Sequence, residues 1–211
     1  MQRVYRPVKR VLDFVFALLL LVLLAPLMTL LAVMMFFAQG RPVFFVQPRP
    51  GLLGKTFRLY KFRTMAAESE LMASQSDTNR LTPMGRVLRK LSLDELPQLW
   101  NVVKGDMSVV GPRPLLIDYL PLYNPRQATR HTVRPGLTGF AQVNGRNTTT
   151  WATRLELDAR YVEMFSLRQD ILIVQKSIVV VFLGRGVNPD GAEVMQPFQG
   201  SSSLGGGTRW G

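Results

Sequence analysis

The chain of 211 residues contains no cysteine and one histidine, His131. Without cysteine it forms no disulfide, no thiolate nucleophile and no cysteine-bound zinc or iron–sulfur centre. A single histidine cannot build a multi-histidine metal site, and a serine–histidine–aspartate triad would depend on His131. The remaining chemistry uses carboxylates, lysine, arginine and a hard metal ion, which are the groups that handle phosphates.

Acidic residues are scarce, with 14 Asp and Glu against 26 Lys and Arg, so the net charge is +12. This excess predicts a polyanionic partner, which can be nucleic acid, an anionic membrane face or a phosphorylated substrate. The basic residues are scattered through predicted turns instead of following one helix or alternating with stacking aromatics, which argues against nucleic acid. We therefore predict no nucleic-acid partner. The length fits one domain with an appendage.

One uncharged apolar segment lies between Asp13 and Arg41. As a straight helix, residues 14–40 would measure roughly 40 Å, more than the roughly 30 Å of a bilayer's hydrocarbon. Basic residues flank the segment on both sides, and each flank favours the cytoplasm. Pro26, near the midpoint, predicts a kink or break. Charge alone leaves open a re-entrant helix-break-helix and a single span kinked at proline.

The rest of the chain has the pattern of a mainly helical α+β fold. The stretches "PVFFV" and "TFRLYKFRT" predict a β-hairpin with one basic face. "GRVLRKL" predicts a helix, and the apolar spacing after the acidic pair predicts a second helix that ends at Lys104-Gly105. Further predictions are a loop over 131–147, a helix over 150–166, and an apolar helix over 170–183 that is buried or lies against the bilayer.

Two adjacent acids, Asp94 and Glu95, stand in the basic stretch "KLSLDELPQLW". In one interpretation, Ser92 and Glu95 form a capping box at a helix start. In the other, an ionised carboxylate beside cations serves phosphate chemistry, with the amides of the helix start also available to a phosphate. Asp94 would attack phosphorus or hold a magnesium ion, and Glu95 would act as a base or a second metal contact. Spacing alone leaves both interpretations open.

Four motifs in register, behind the apolar segment, carry a resemblance. They are "KTFRLYKFRTM", "GRVLRKLSLDELPQLWNVVKGDMSVVGPRPLLIDYL", "VRPGLTGFAQVNGRN" and "LDARYVEMFSLRQDILIV". Together they resemble the bacterial monotopic phosphoglycosyl transferases, the PglC-like sugar transferases, from about residue 6 to 199. The resemblance implies transfer of a sugar phosphate from a UDP-sugar to undecaprenyl phosphate, with release of UMP, as the first membrane step of glycoconjugate synthesis.

The same resemblance assigns residue roles. Asp94 is expected to be the nucleophile that forms a covalent phosphosugar intermediate and Glu95 its catalytic partner, with Mg²⁺ held through both. The basic positions expected to bind substrate phosphates are Lys61, Arg113 of "GPRP" and Arg146 of "GRN".

Two further acids, Asp158 and Asp170, match acidic family positions, although a helix cap or an ion pair explains each as well. The C-terminal "GVNPDGAEVMQPFQG" is similar to the ending of members that use UDP-N,N′-diacetylbacillosamine. UDP-GlcNAc-type, galactose and glucose donors stay open.

The resemblance also implies the topology, a re-entrant helix broken by proline, with the domain on the cytosolic face of the bacterial inner membrane. We therefore expect a re-entrant segment over 1–40, a catalytic domain over 41–199 with interfacial amphipathic helices, and a flexible tail over 200–211. Family members often have serine where this chain has Ala25, so a hydroxyl that could bind a freed carbonyl is absent at that position.

Two other functions are compatible with the residues. One is a membrane-bound, Mg²⁺-dependent hydrolase of prenyl or nucleotide diphosphates, which would use the same carboxylates on water. The other is a non-enzymatic basic module that binds anionic lipid. The sequence predicts no oligomeric state.

Overall fold

The structure is a computed structural model that describes residues 2–65, 81–144, 150–182 and 197–200. It confirms a mainly helical α+β fold with small two-stranded sheets. Short 3₁₀ turns lie at Leu52–Gly54, Leu93–Glu95, Ile117–Leu122 and Thr129–Thr132. The helices are α1 (Gln2–Gln39), α2 (Pro83–Lys90), α3 (Gln98–Lys104), α4 (Pro125–Ala128), α5 (Phe140–Asn144), α6 (Trp151–Glu163) and α7 (Leu167–Phe182), and the strands are β1 (Phe44–Pro50), β2 (Thr56–Phe62), β3 (Ser108–Val110) and β4 (Gly136–Thr138).

The predicted hairpin is confirmed, because β1 and β2 pair in antiparallel fashion. Its register places Phe45 opposite Lys61 and Arg49 opposite Phe57. Paired residues share a face and neighbours along a strand alternate, so Arg49 and Lys61 share one face while Arg58 points to the other. The prediction of a single basic face was therefore wrong. The two basic residues that share a face are contributed by different strands.

The parallel pair β3–β4 depends on a close approach of two backbones. A Cβ at Gly111 would lie 2.3 Å from the carbonyl oxygen of Arg134, and a Cβ at Gly136 would lie 2.1 Å from the amide nitrogen of Gly111. No side chain fits at such distances, so both positions require glycine. β4 and α5 lie within 131–147, which the sequence predicted as a loop. The three-residue strand is too short to show an alternating pattern.

α1 packs one face against the domain along most of its length. Ala17 is buried beside Leu99 and Val102 of α3, and Met35 is buried beside Phe62 and Leu88. The opposite face is apolar and exposed, and α1 is long and apolar enough to cross a membrane. These features associate the chain with a membrane. Highly exposed large side chains of α1 include Val4, Leu19, Val22, Leu23 and Phe37.

The structure has one continuous helix, without the predicted interruption at Pro26. Proline removes a single backbone donor, and the hydrogen bonds before and after it can maintain the helix. The Thr29 hydroxyl donates to the carbonyl of Ala25 at 2.9 Å. This bond is made to the carbonyl of Ala25 and not to that of Val22, which Pro26 leaves without its amide donor, and such back-bonding favours a bend. The re-entrant topology stays a prediction.

α7 buries Ile173 and exposes other large apolar residues, so it is not wholly buried. Of the predicted tail over 200–211, only Gly200 lies within the described residues. The exposed apolar residues of α7 include Ile171, Leu172, Ile178 and Val179.

Candidate active site

The acidic pair lies on a 3₁₀ turn of its own, ahead of α3. Ser92, just before the turn, has a left-handed backbone conformation (φ 55°) and its side chain makes no capping hydrogen bond. α3 begins only at Gln98, with Pro97 at its N-cap position. The capping-box interpretation was therefore wrong, and so was the start of the second helix at the acidic pair. Neither carboxylate is used to cap a helix.

Glu95 brings together three of the predicted site residues. Its Oε1 accepts hydrogen bonds from Lys61 Nζ at 2.7 Å and from Arg113 Nη2 at 2.6 Å, and its Oε2 accepts a longer one from Arg113 Nη1 at 3.4 Å. Burial would raise the pKa of Glu95, but the charges of Arg113 and Lys61 outweigh burial and hold this pKa well below its usual range. The two cations therefore favour the ionised form of Glu95, which holds both of them in place.

Asp94 has the opposite environment. Its side chain is buried, and within the described part of the chain its oxygens accept no hydrogen bond. Burial, and second the charge of Glu95, raise the pKa of Asp94, while Lys61, Arg89 and Arg113 oppose the shift. Two adjacent carboxylates whose pKa values are pushed apart are typical of a pair with separate chemical roles. Asp94 is the one with free oxygens.

A cavity of about 220 Å³ lies next to the two cations that bind Glu95, and we call it the cationic pocket. Lys61 and Arg113 line it, so the cations that bind Glu95 also face the cavity. The wall is completed by Arg49 and Leu59 of the hairpin, Gln98 of α3, Pro114 to Leu116, Tyr119 and Trp151.

A buried ion pair holds the backbone of Arg113 in place. Arg130 donates from Nη2 to the carbonyl of Arg113 at 2.6 Å and to Asp158 Oδ2 at 2.8 Å. Arg130 and Asp158 are both about 2% exposed, so neither faces a substrate. Of the alternatives open for Asp158, the structure therefore shows the ion pair. Arg130 was not among the predicted site residues, because "ATRHTVRPG" contains no pattern that distinguishes it from the other basic residues.

Asp170 also belongs to a structural ion pair. It accepts hydrogen bonds from Lys9 and Tyr5 of α1 and from Tyr161 of α6, so it joins three helices. Arg146 lies outside the described residues, and its role stays a prediction.

The residues present fit a magnesium ion that is shared with a substrate. No group of three acidic or histidine side chains in the described ranges could hold a metal alone. Neither oxygen of Asp94 accepts a hydrogen bond from a described residue, and Glu95 Oε2 retains a lone pair because it accepts only one long hydrogen bond there. Magnesium is commonly bound by one or two carboxylates together with substrate phosphates.

An apolar groove of about 760 Å³ lies against the membrane helix. It shares no lining residue with the cationic pocket. Its walls are Leu21, Ala25, Met28, Thr29, Ala32, Val33, Phe36 and Phe37 of α1, Phe44 of β1 and Trp100 of α3.

A membrane-associated fold with a free, buried carboxylate beside a cationic pocket defines a class of enzyme that acts on phosphates at a membrane surface. The chain matches the family model described as bacterial sugar transferase over residues 4–184. It belongs to this family, which confirms the resemblance.

Individual relatives agree with this assignment. The chain is 51% identical to the uncharacterized sugar transferase EpsL of Bacillus subtilis over 166 residues, 78% of this chain and 82% of that protein. It is 41% identical to the exopolysaccharide production protein ExoY of Sinorhizobium fredii, over 84% of this chain and 87% of that one. It is 42% identical to the UDP-glucose:undecaprenyl-phosphate glucose-1-phosphate transferase of Caulobacter vibrioides, over 81% of this chain and 68% of that one.

Proposed function

We propose that the protein transfers a sugar 1-phosphate from a UDP-sugar to undecaprenyl phosphate and releases UMP. The Caulobacter relative is named for this reaction with glucose. The observation that carries the proposal is the contrast within the acidic pair. Glu95 binds Lys61 and Arg113, whereas Asp94 is buried beside the same cations and neither of its oxygens accepts a hydrogen bond from a described residue.

In the first half-reaction, an Asp94 oxygen attacks the phosphorus that carries the sugar. The bond from this phosphorus to the UMP oxygen breaks, and UMP leaves with the electron pair. The product is an acyl phosphate that links Asp94 to the sugar. Desolvation strengthens Asp94 as a nucleophile, since burial disfavours its charged form in the resting protein.

In the second half-reaction, a phosphate oxygen of the lipid attacks the same phosphorus. The acyl phosphate bond breaks, Asp94 regains its charge, and a lipid-linked diphosphate sugar forms. The attacking oxygen belongs to an ionised carboxylate in the first step and to an ionised phosphate in the second, so neither attack transfers a proton. One pocket can therefore serve the two bulky substrates in turn.

Glu95 acts by holding Lys61 and Arg113 where negative charge develops on the phosphate oxygens. Asp94 and Glu95 Oε2 would hold Mg²⁺ together with the phosphates, and the ion would neutralise charge in the diphosphate. The apolar groove supports a lipid acceptor, because it offers an isoprenoid chain a binding surface on the membrane helix.

The contacts of α1 support a re-entrant topology on one membrane face. Near its start, Lys9 pairs with Asp170 of the domain, and at its end Arg63 of the domain donates to the carbonyls of Gln39 and Gly40. A straight helix of 38 residues would measure roughly 57 Å, so a perpendicular span would put these contacts on opposite faces. Because both ends of α1 contact one small domain, these contacts favour a helix that enters and leaves the membrane by the same face. We propose that this face is cytosolic.

Cysteine labelling tests the topology, because the chain has no native cysteine. We expect Val4→Cys and Lys55→Cys both to react with an impermeant maleimide only in inside-out vesicles. Leu23→Cys, whose side chain is exposed to the lipid side of α1, is the control and should stay unlabelled until detergent is added. Labelling of Val4→Cys and Lys55→Cys from opposite sides would establish a span.

The function is tested with purified protein, Mg²⁺ and a panel of UDP-sugars that includes glucose, galactose, N-acetylglucosamine and diacetylbacillosamine donors. Without lipid, we expect a stoichiometric burst of UMP and no turnover. With undecaprenyl phosphate, we expect continuous release for one donor, which identifies the sugar. Release of free sugar phosphate without lipid would establish the hydrolase, and no release with any donor would favour the non-enzymatic module.

A further inference from the structure

Arg49 is a cation of the cationic pocket for which the proposed mechanism has no role. It lies on β1, on the same hairpin face as Lys61, and lines the cavity together with Lys61 and Arg113. Its Nη2 donates to Gln47 at 2.5 Å, while its Nε is buried without a hydrogen-bond partner. None of the ion pairs formed between described residues includes Arg49.

The charges around the pocket leave Arg49 uncompensated. Glu95 binds Lys61 and Arg113, and Asp94 is the other carboxylate near these two cations. Burial, and second the like charge of Arg113, lower the pKa of Arg49. A half-buried guanidinium that is repelled by its neighbour and has an unsatisfied donor reduces the stability of the fold. An anion in the pocket would remove this penalty.

We propose that Arg49 is a substrate-binding residue whose guanidinium binds a phosphate of the nucleotide in the cationic pocket. The inference rests on the proposed function, and it assigns Arg49 to the nucleotide instead of the lipid. Two observations favour the nucleotide. The pocket shares no lining residue with the apolar groove, and Tyr119 and Trp151 in its wall offer aromatic surface to a base.

Arginine suits this position because its planar fork makes paired hydrogen bonds to phosphate oxygens. Nε is buried and shares one edge of the fork with Nη2, so Nη1 is the terminal nitrogen that makes no hydrogen bond with a described residue. Gln47 takes a hydrogen bond from the terminal Nη2. The free donors of Arg49 can therefore bind phosphate while Gln47 holds the side chain.

The test uses Arg49→Met, Arg49→Lys and the matched control Arg58→Met, which removes a cation from the opposite face of the same hairpin. Binding of UMP, uridine and farnesyl phosphate is measured by calorimetry, with the KM for the UDP-sugar. For Arg49→Met we expect the Kd for UMP and the KM for the UDP-sugar both to rise about ten- to a hundredfold, the range for lost charged hydrogen bonds. We expect unchanged affinity for uridine and farnesyl phosphate, partial recovery in Arg49→Lys, and wild-type values for Arg58→Met.

Thermal unfolding separates substrate binding from structural support. Without ligand, Arg49→Met should raise Tm, because the substitution removes an uncompensated charge, whereas the loss of a purely structural arginine would lower Tm. UMP affinity within about twofold of wild type, a selective loss of farnesyl phosphate binding, or a lower Tm with equal losses for uridine and UMP would each overturn the inference. If wild-type protein neither binds nor releases UMP, the proposed function and the inference fail together. Normal wild-type release with an unaffected Arg49→Met variant overturns the inference alone.

Discussion

Asp94→Asn is expected to reduce UMP release by at least about a thousandfold, the scale on which enzymes lose activity when a nucleophile is removed. The amide has almost the shape of the carboxylate but cannot attack phosphorus as an anion. The burst without lipid and the turnover with lipid should disappear together, because both need the acyl phosphate. Quantifying UMP in a single turnover with each UDP-sugar, with and without undecaprenyl phosphate, checks this expectation.

The same variant is expected to unfold at a higher temperature than the wild type. A raised pKa means that the folded protein favours protonated Asp94, so the contribution of this group to stability is present at acidic pH and is lost as pH rises through the folded pKa. Asparagine does not ionise, so the variant does not lose this stability as the pH rises. We expect a Tm increase of about 2–4 °C at neutral pH, shrinking toward acidic pH.

The matched control for Asp94→Asn is Asp118→Asn, which changes an exposed aspartate away from the acidic pair. It should alter neither activity nor Tm. A phosphosugar adduct trapped on a residue other than Asp94, or near-normal turnover by Asp94→Asn, would contradict the assignment of the nucleophile.

Glu95→Gln is expected to lower kcat by about a hundredfold while leaving some burst. The neutral amide no longer holds Lys61 and Arg113, which repel one another once their shared anion is removed. The substitution also removes the negative charge of Glu95, which raises the pKa of Asp94. The acid limb of the pH–rate profile should therefore move to lower pH, which a purely structural defect would not produce.

The stability effect of Glu95→Gln should have the opposite sign to that of Asp94→Asn. The lowered pKa of Glu95 means that its ion pairs stabilise the fold above its unfolded pKa and that this contribution is lost as pH falls through the folded value. We expect the free energy of unfolding of Glu95→Gln to be lower than that of the wild type by about 1–3 kcal/mol at neutral pH. This difference should become smaller as the pH falls below the unfolded pKa of Glu95. Denaturant unfolding of Asp94→Asn and Glu95→Gln at neutral and acidic pH tests this. A change in the free energy of unfolding with the same sign in both variants would contradict the environments assigned to the two carboxylates.

Sequence analysis predicted the parts of the molecule that depend on local order. Hydrophobic periodicity and long motifs are local properties of a chain. They were sufficient to predict the apolar helix, the hairpin, the helical character of 150–166 and 170–183, and the family. Sequence analysis failed where the outcome depended on distant contacts. Ser92 has the residue type of a cap, yet it adopts a left-handed conformation. β4 pairs with β3 only because Gly136 and Gly111 let the two backbones come close together.

The amino-acid sequence by itself determined that two carboxylates stand side by side in a basic, membrane-associated chain, since composition and adjacency need no folding. Only the tertiary structure decided how their environments differ. Lys61 and Arg113 approach Glu95 from positions 34 and 18 residues away, and Asp94 is left buried with no hydrogen bond from a described residue. A carboxylate's pKa depends on solvent exclusion and on charges a few ångströms away. Both are set by long-range packing, which the order of residues along the chain does not display.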